Sequence, residues 1–484
     1  MDIRTPELQS LRLQPGTGIA LHQQISNGIR ERISSGAICA GARLPSSRTL
    51  AAQLAVSRAT VELAYGLLAA EGYVSRRAAA GTRVESLPAE RAPMPLPSSP
   101  LGMPGLASEP AQAPRLFQMG LPALDAFPRK LWSRVAARHA RSLPVSKMLY
   151  QETAGFAPLR RAIANYLAIS RKMACSERQV FVTTGFLGAL SLAGRTLLAP
   201  GDKVWIEDPG FPPARHTLEL TGGQLVPVAV DAFGMDIGQG IALAPLARLA
   251  LVTPAAQFPL GHALSAGRRS QLMAWAAQAG AWVIEDDYES EFTDGGRTRP
   301  TRGEADPAER VLHAGSFSNV LFPGLRLGYL VAPASLVPDL ERTSALMPLQ
   351  QSLLDQMAVC DFIAEGHFAR HLVRMRSLYA QRRSALVKAL NSELGELGCA
   401  QDKGGMHLLL RLPPHVDDVA LARLARAQGM AVNALSSMAL RASTGPGLLL
   451  GFANLVPEAA RDAARRLANV LRTAPCDLPA CGER

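Results

Sequence analysis

Residues 85 to 115 of this 484-residue chain carry eight prolines amid Ser, Ala and Gly, and their apolar side chains recur with neither helical nor strand spacing. Proline has no N–H and its ring clashes with a preceding helical turn, so such a stretch cannot be a helix interior or a central strand. It predicts a semi-rigid linker, extended at roughly 3 Å per residue where it is polyproline-like. The flanking segments must then fold separately, giving a first domain over 1–84, a linker over 85–115 and a second domain over 116–484, whose small carboxyl-terminal part covers about 336–484. Hydrophobic residues make up 48% of the chain, enough for sizeable cores, which excludes extended disorder and a coiled-coil rod. No uninterrupted apolar run reaches membrane-spanning length and the first residues lack an apolar signal core, so the expected location is cytoplasmic, with no membrane partner. The six cysteines form no CxxC pair and have no His at ligand spacing, so neither a zinc site nor a disulfide framework is expected.

The net charge of +11 is unevenly spread: residues 1–84 hold ten Arg, no Lys and five acids, a surplus of five positive charges that favours a polyanionic partner. Within this segment Leu21, Ile25, Ile29 and Ile33 recur every fourth residue, as on one face of a helix ending near Gly36. A second short helix fits Ser47 to Ala55. A third runs from Arg58 to Glu71, capped by Ser57, with Val61, Tyr65 and Leu68 on one side. Tyr73 to Ser75 and Gly81 to Val84 then predict a hairpin. Two short helices with a tight break, followed by a hairpin, match a helix-turn-helix whose later helix enters the major groove of double-stranded DNA. Arg48, Ser57, Arg58 and Thr60 lie at or near helix starts, where side chains and free N–H groups reach phosphates and base edges.

The strings Arg43-Leu44-Pro45-Ser46-Ser47-Arg48-Thr49-Leu50-Ala51, Val56-Ser57-Arg58-Ala59-Thr60-Val61, Glu71-Gly72-Tyr73-Val74 and Gly81-Thr82 resemble the winged helix of GntR-type transcription regulators over some 65 residues. The resemblance implies phosphate or base contacts from Arg43, Ser46, Arg48, Ser57, Arg58 and Thr60, with Gly81 at the wing tip near the minor groove.

After the linker, β-rich runs alternate with longer helical stretches. Val180–Thr183, 203–207, 249–253, 281–286, 311–313 and 327–331 are strand candidates, which predicts an α/β domain with a mainly parallel central sheet and ligands outside the carboxyl ends of its strands. At one such end, Asp286 could pair with a protonated ring nitrogen and Tyr288, two residues on, could reach a phenolic oxygen. Asp286 and Tyr288, together with Ala314-Gly315-Ser316-Phe317-Ser318-Asn319, Phe322-Pro323-Gly324-Leu325-Arg326, Thr183-Thr184-Gly185, Glu207-Asp208-Pro209-Gly210 and Gln257-Phe258-Pro259, resemble a fold-type I aminotransferase domain. A GntR-type winged helix joined by a linker to this domain is similar to the MocR subgroup of regulators. That resemblance implies pyridoxal 5'-phosphate as cofactor. Asp286 would face its ring nitrogen and Tyr288 its ring hydroxyl. The phosphate would be held by Ser316, Arg326, the amides of Gly185, Phe186 and Leu187 and, from a partner subunit, Tyr150. It also implies a homodimer and a small-molecule effector, an amine or amino acid.

One departure from the family pattern outweighs the others. The family places its Schiff-base lysine directly after Ser-Phe-Ser, and this chain has Asn319 there. An amide nitrogen, its lone pair delocalised into the carbonyl, neither condenses with an aldehyde nor shuttles a proton as a general base. The six lysines offer no substitute, since none falls between Lys203 and Lys388. Polar positions have drifted too, to Ala255, Ala256, Leu260, Phe211 and Leu187-Gly188, and the run Leu448-Leu449-Leu450 stands where transaminases commonly carry a carboxylate-binding Arg. The expectation is therefore a DNA-binding regulator with no catalytic residues, which either holds the cofactor non-covalently or has converted the pocket to another ligand. The competing expectation is a pyridoxal phosphate-dependent aminotransferase with a vestigial DNA-binding module. His262 and His313, the histidines near this region, read as structural.

Overall fold

The computed structural model describes residues 11–14, 18–77, 81–86, 113–292, 306, 308–347, 352–395 and 405–473. Most of the predicted linker, and Cys399, Cys476 and Cys481, lie outside them. The chain divides into two compact units, Met1–Met103 and Pro104–Arg484.

In the first unit, α1 (Leu21–Ser34) turns Ile25, Ile29 and Ile33 inward, as their four-residue spacing requires. The short α2 (Ser47–Gln53) and α3 (Arg58–Ala70) pack on it, and β1 (Val74–Arg77) pairs antiparallel with β2 (Gly81–Val84) in the register Val74↔Val84 to Arg77↔Gly81. Val61, Tyr65 and Leu68 are buried with Leu50, Val74 and Val84 in one core. The Tyr65 hydroxyl donates to the Pro45 carbonyl at 2.9 Å, tying α3 to the segment that leads into α2. Two helices, a tight break at Ala55 with φ 51°, a third helix and a hairpin make up the predicted winged helix-turn-helix.

The second unit is built on an eight-stranded sheet in the order β3-β10-β9-β8-β7-β4-β5-β6. These strands are β3 (Val180–Thr183), β4 (Lys203–Asp208), β5 (Gln224–Asp231), β6 (Gly234–Met235), β7 (Leu249–Val252), β8 (Trp282–Asp286), β9 (Val311–Ser316) and β10 (Gly328–Val331). The pairs β5–β4, β4–β7, β7–β8 and β8–β9 are parallel, whereas β10 runs against both β9 and β3, and β6 against β5. The sheet is thus mainly parallel, as expected. β5 and β6 were not among the strand candidates. Pro227 interrupts the apolar run of β5, and a proline there is tolerable because the strand lies next to the sheet edge.

Helices cover both faces, so β3, β4, β7 and β9 are buried almost throughout and read as continuous apolar runs. The smaller carboxyl-terminal part carries an antiparallel sheet β11-β13-β12, formed by His407–Arg411, Gly447–Gly451 and Asn433–Ala434. Its helices Asp418–Ala427 and Ala460–Thr473, with the 28-residue helix His367–Leu394, share one apolar core with the near side of the large sheet. Among the described residues no helix is long and apolar enough to cross a membrane. Of the described cysteines, Cys360 is buried, Cys175 half-buried and Cys39 exposed.

Candidate functional site

In the first unit the hydroxyls of Ser46 and Ser57 serve as helix caps. Ser46 Oγ accepts from the Thr49 amide and Ser57 Oγ from the Thr60 amide, both at 3.1 Å. Each cap satisfies one of the orphan donors of a helix start and leaves the others facing outward. Arg48, Ser57 and Arg58 are exposed and Thr60 half-buried at these starts. Arg43 pairs with Arg83 across an antiparallel bridge beside β2, and its guanidinium lies so close to Gly81 that a Cβ there would come within 3.0 Å of Arg43 Nε. Gly81 also has φ +75°, a conformation that favours glycine. The seven predicted contact residues therefore fall on one small unit, at the starts of α2 and α3 and at the turn end of the wing, where Gly81 pairs with Arg77 and lies against Arg43.

The second unit gathers its candidate residues through strand direction. Because β3, β4, β7, β8 and β9 point the same way, Gly185, Phe211, Thr253, Asp286 and Ser316 all follow or end strands on one edge of the sheet, and Gly328 starts the reversed β10 there. The registers Asp286↔Ala314, Gly328↔Ser316 and Gly328↔Thr183 fix this alignment. Gly185, with φ +76°, caps the helix Phe186–Leu197, and a Cβ on it would stand 3.8 Å from Ser318 Oγ and 3.9 Å from Ser316 Oγ. A helix start bearing free amides thus faces two hydroxyls, a donor set suited to a phosphate. Arg326 is exposed in a left-handed turn (φ 49°) two residues before β10, and its guanidinium has no partner among the described residues.

Asp286 lines a cleft with Glu207, Phe211, Arg215 and Thr253. Burial, and then the charges of Asp287 and Glu207, push the Asp286 carboxyl well above its ordinary range. Burial likewise raises Glu207 to about 7, although it accepts from the Thr253 amide and Gln257 Nε2. A carboxyl in this setting is ionised most readily beside a cation, which a protonated pyridine nitrogen would supply. Tyr288 is half-buried, its ring edge-on to Phe258 with centroids 5.6 Å apart, and Phe258 in turn meets Phe211 at 5.8 Å. The donor set therefore fits the ring and phosphate of pyridoxal phosphate. It does not fit an imine: Asn319 is half-buried in the turn after β9, and among the described residues no lysine lines the cleft. Tyr150 is fully exposed in its own chain and outside the cleft lining.

Three features of this end escaped the sequence reading. On the strand face opposite Asp286, Arg171 pairs with Glu291 at 2.8 Å and Asp287 at 3.3 Å, and His313 lies 3.5 Å from Asp287 and 3.8 Å from Glu285. Burial opposes charge on His313, but the two carboxylates outweigh it and raise its pKa to about 9. The alternation along Glu285-Asp286-Asp287 was a signal for this arrangement, while nothing local marked Arg171. Second, the Asp208 carboxylate accepts three amides of the small part, from Leu440 and Arg441 at 2.7 Å and Ala442 at 2.9 Å, drawing that loop to the edge of the cleft. Third, Leu449 is buried with Phe258, Leu260, Leu409 and Leu435 in a cluster against which Tyr288 packs.

A family description, bacterial regulatory proteins of the gntR family, matches residues 21–84, and aminotransferase class I and II matches residues 129–467. The "Probable rhizopine catabolism regulatory protein MocR" of Rhizobium meliloti is 35% identical to this chain, over 98% of it and 97% of that protein. The chain belongs to the MocR-type regulators of the GntR family. The pyridoxine biosynthesis transcriptional regulator PdxR of Corynebacterium glutamicum is 31% identical over 91% of this chain and 94% of its own length. Among solved structures, the α-aminoadipate aminotransferase LysN of Thermus thermophilus, complexed with N-(5'-phosphopyridoxyl)-L-leucine, superposes with a TM-score of 0.66 at 28% identity, covering 74% of this chain and 91% of that one. An archaeal alanine:glyoxylate aminotransferase shares the fold with a TM-score of 0.69 at 24% identity, covering 75% of this chain and 91% of its own. This MocR-type regulator thus joins a DNA-binding GntR unit to an aminotransferase-like unit.

Proposed function

We propose that this MocR-type regulator is a one-component transcription factor whose aminotransferase-like unit, over about 116–484, is a receptor and not a catalyst. Its domain over 1–84 binds operator DNA through Arg43, Ser46, Arg48, Ser57, Arg58, Thr60 and Gly81. The receptor holds pyridoxal 5'-phosphate without a covalent bond to the chain, and the signal it reports is an amine or amino acid. Asp286 faces the ring nitrogen and Tyr288 the ring hydroxyl. Ser316, Arg326 and the amides of Gly185, Phe186 and Leu187 hold the phosphate, joined by Tyr150 of the partner subunit in a homodimer. When bound, the cofactor supplies an aldehyde that reacts with amines and an electron-withdrawing ring. Asn319, where the family has its lysine, leaves that aldehyde to free amines.

The observation that carries this reading is the raised carboxyl of Asp286 in a cleft with no lysine among its described lining residues, on the sheet edge that also bears a helix start and two hydroxyls. A dimer would present two winged helices to paired half-sites. Ligand acts insofar as it binds the DNA-competent and incompetent arrangements with different affinity. A second reading, in which the cleft serves another small ligand, draws support from the apolar cluster around Leu449 and Phe258. Equilibrium dialysis decides between them. The parent chain binds pyridoxal phosphate, and Asp286→Ala binds it at least about tenfold more weakly, as expected when one member of a buried charge pair is truncated. Equal affinity of the two chains, or none in the parent, favours the second reading.

A further inference from the structure

Of the acids between Arg43 and Arg83, Glu71 is paired with Arg30 at the far end of α3, which leaves Glu62 as the one negative charge among the DNA-facing groups. Glu62 lies one turn inside α3, four residues after Arg58 and on the same face. Its carboxylate accepts from Ser47 Oγ at 2.5 Å, forms an ion pair with Arg76 of the wing strand β1 and stands 3.8 Å from the Arg58 guanidinium. One carboxylate thus gathers groups from the start of α2, the start of α3 and the wing. Arg43 and Arg48 have no carboxylate partner among the described residues, so this restraint is selective. The Glu62 and Arg76 side chains keep 34% and 42% of their exposure and Arg58 keeps 69%, so all three remain open to a partner.

We propose that Glu62 is a specificity-determining residue for DNA, a proposal that rests on DNA binding through the first unit. On arbitrary sequence its charge opposes the phosphates and keeps Arg58 and Arg76 engaged with itself. On a matching site it accepts from the amino group of cytosine in the major groove, the base-edge donor that suits a carboxylate, and Arg58 and Arg76 turn to the DNA. A carboxylate in this position costs affinity everywhere except on the right sequence, which is how discrimination is gained by penalising wrong partners.

The test uses the full chain and duplexes enriched by the parent from a randomised pool. Glu62→Gln keeps an acceptor for Ser47 and Arg76 but removes the charge. It binds unrelated duplex several-fold more tightly than the parent, with a slope of log affinity against log salt steeper by about one for each Arg freed to reach a phosphate. The ratio of selected to unrelated affinity falls about tenfold, and re-selection replaces cytosine by adenine at one position in each half-site, because Gln pairs with adenine. In an Arg76→Gln background the same change steepens the slope less. An unchanged ratio, slope and selected sequence overturns the proposal. So does a uniform loss of affinity with a lowered Tm, which would mark Glu62 as a strut between α2, α3 and β1. A pool from which the parent enriches nothing removes the DNA reading and this proposal with it.

Discussion

A chain carrying Asn319→Lys, incubated with pyridoxal phosphate and then borohydride, acquires one cofactor-derived mass on the peptide containing residue 319, whereas the parent chain acquires none in this pocket. The contrast is between full occupancy and none, because it turns on a chemical capability and not on a contact. A lysine amine has a lone pair free to attack an aldehyde, and a carboxamide does not. The residues proposed to hold the cofactor for that attack stand near position 319. Ser316 lies three residues earlier, the start of the helix Phe186–Leu197 faces it, and β8, which pairs with β9, brings Asp286 to the same sheet edge. Peptide mapping reads the result. A parent chain modified on any lysine of the pocket would contradict it, as would a variant that binds cofactor in dialysis yet stays unmodified.

Arg58→Ala is expected to lower affinity for selected DNA by about ten- to a hundredfold, the effect of removing one two-pronged grip on guanine. Arg58 suits this role because it is the first residue of α3, exposed, with Ser57 capping the helix beneath it. The loss should be larger on selected than on unrelated duplex, and the oligomeric state by sedimentation should not change, since position 58 lies outside the core of its unit. Titrations at several salt concentrations separate the two components of binding. If Arg58 touched only a phosphate, its removal would weaken binding to all sequences alike and reduce the salt slope by about one, whereas removal of a base-reading group relaxes sequence preference. Equal affinity of variant and parent on both kinds of duplex would remove Arg58 from the interface.

The winged helix was legible in the sequence to within about two residues at each element end, with Arg76 and Arg77 joining β1 and not the turn. Ile25, Ile29 and Ile33 announce α1 through a four-residue repeat, and Ser46 and Ser57 announce α2 and α3 through cap chemistry, both of which act within a few residues. The parallel strands at the centre of the large sheet were legible for a related reason, being buried on both faces and therefore continuously apolar. What stayed hidden depends on partners distant in the chain. The strand Gln224–Asp231 is broken by Pro227 and takes its identity from the neighbouring β4. Asp208 reads as an ordinary acid until residues 440–442 arrive to donate to it. Arg171 has nothing around it in sequence to distinguish it from an exposed helix-end cation, yet it is buried against Asp287 and Glu291. Asp286 was found because it ends an apolar strand, but its raised carboxyl comes from burial first and then from the charges of Asp287 and Glu207, and Glu207 lies 79 residues earlier in the chain.

The aminotransferase-like unit is held to be a receptor, and turnover tests that claim most directly. Full-length chain, pyridoxal phosphate and a mixture of amino acids with an oxo-acid acceptor are incubated together, and new oxo acids are counted per chain. The account predicts no more product than cofactor alone generates. Oxo acids formed many times over per chain, and abolished when Asp286 is replaced, would establish a working aminotransferase and contradict it.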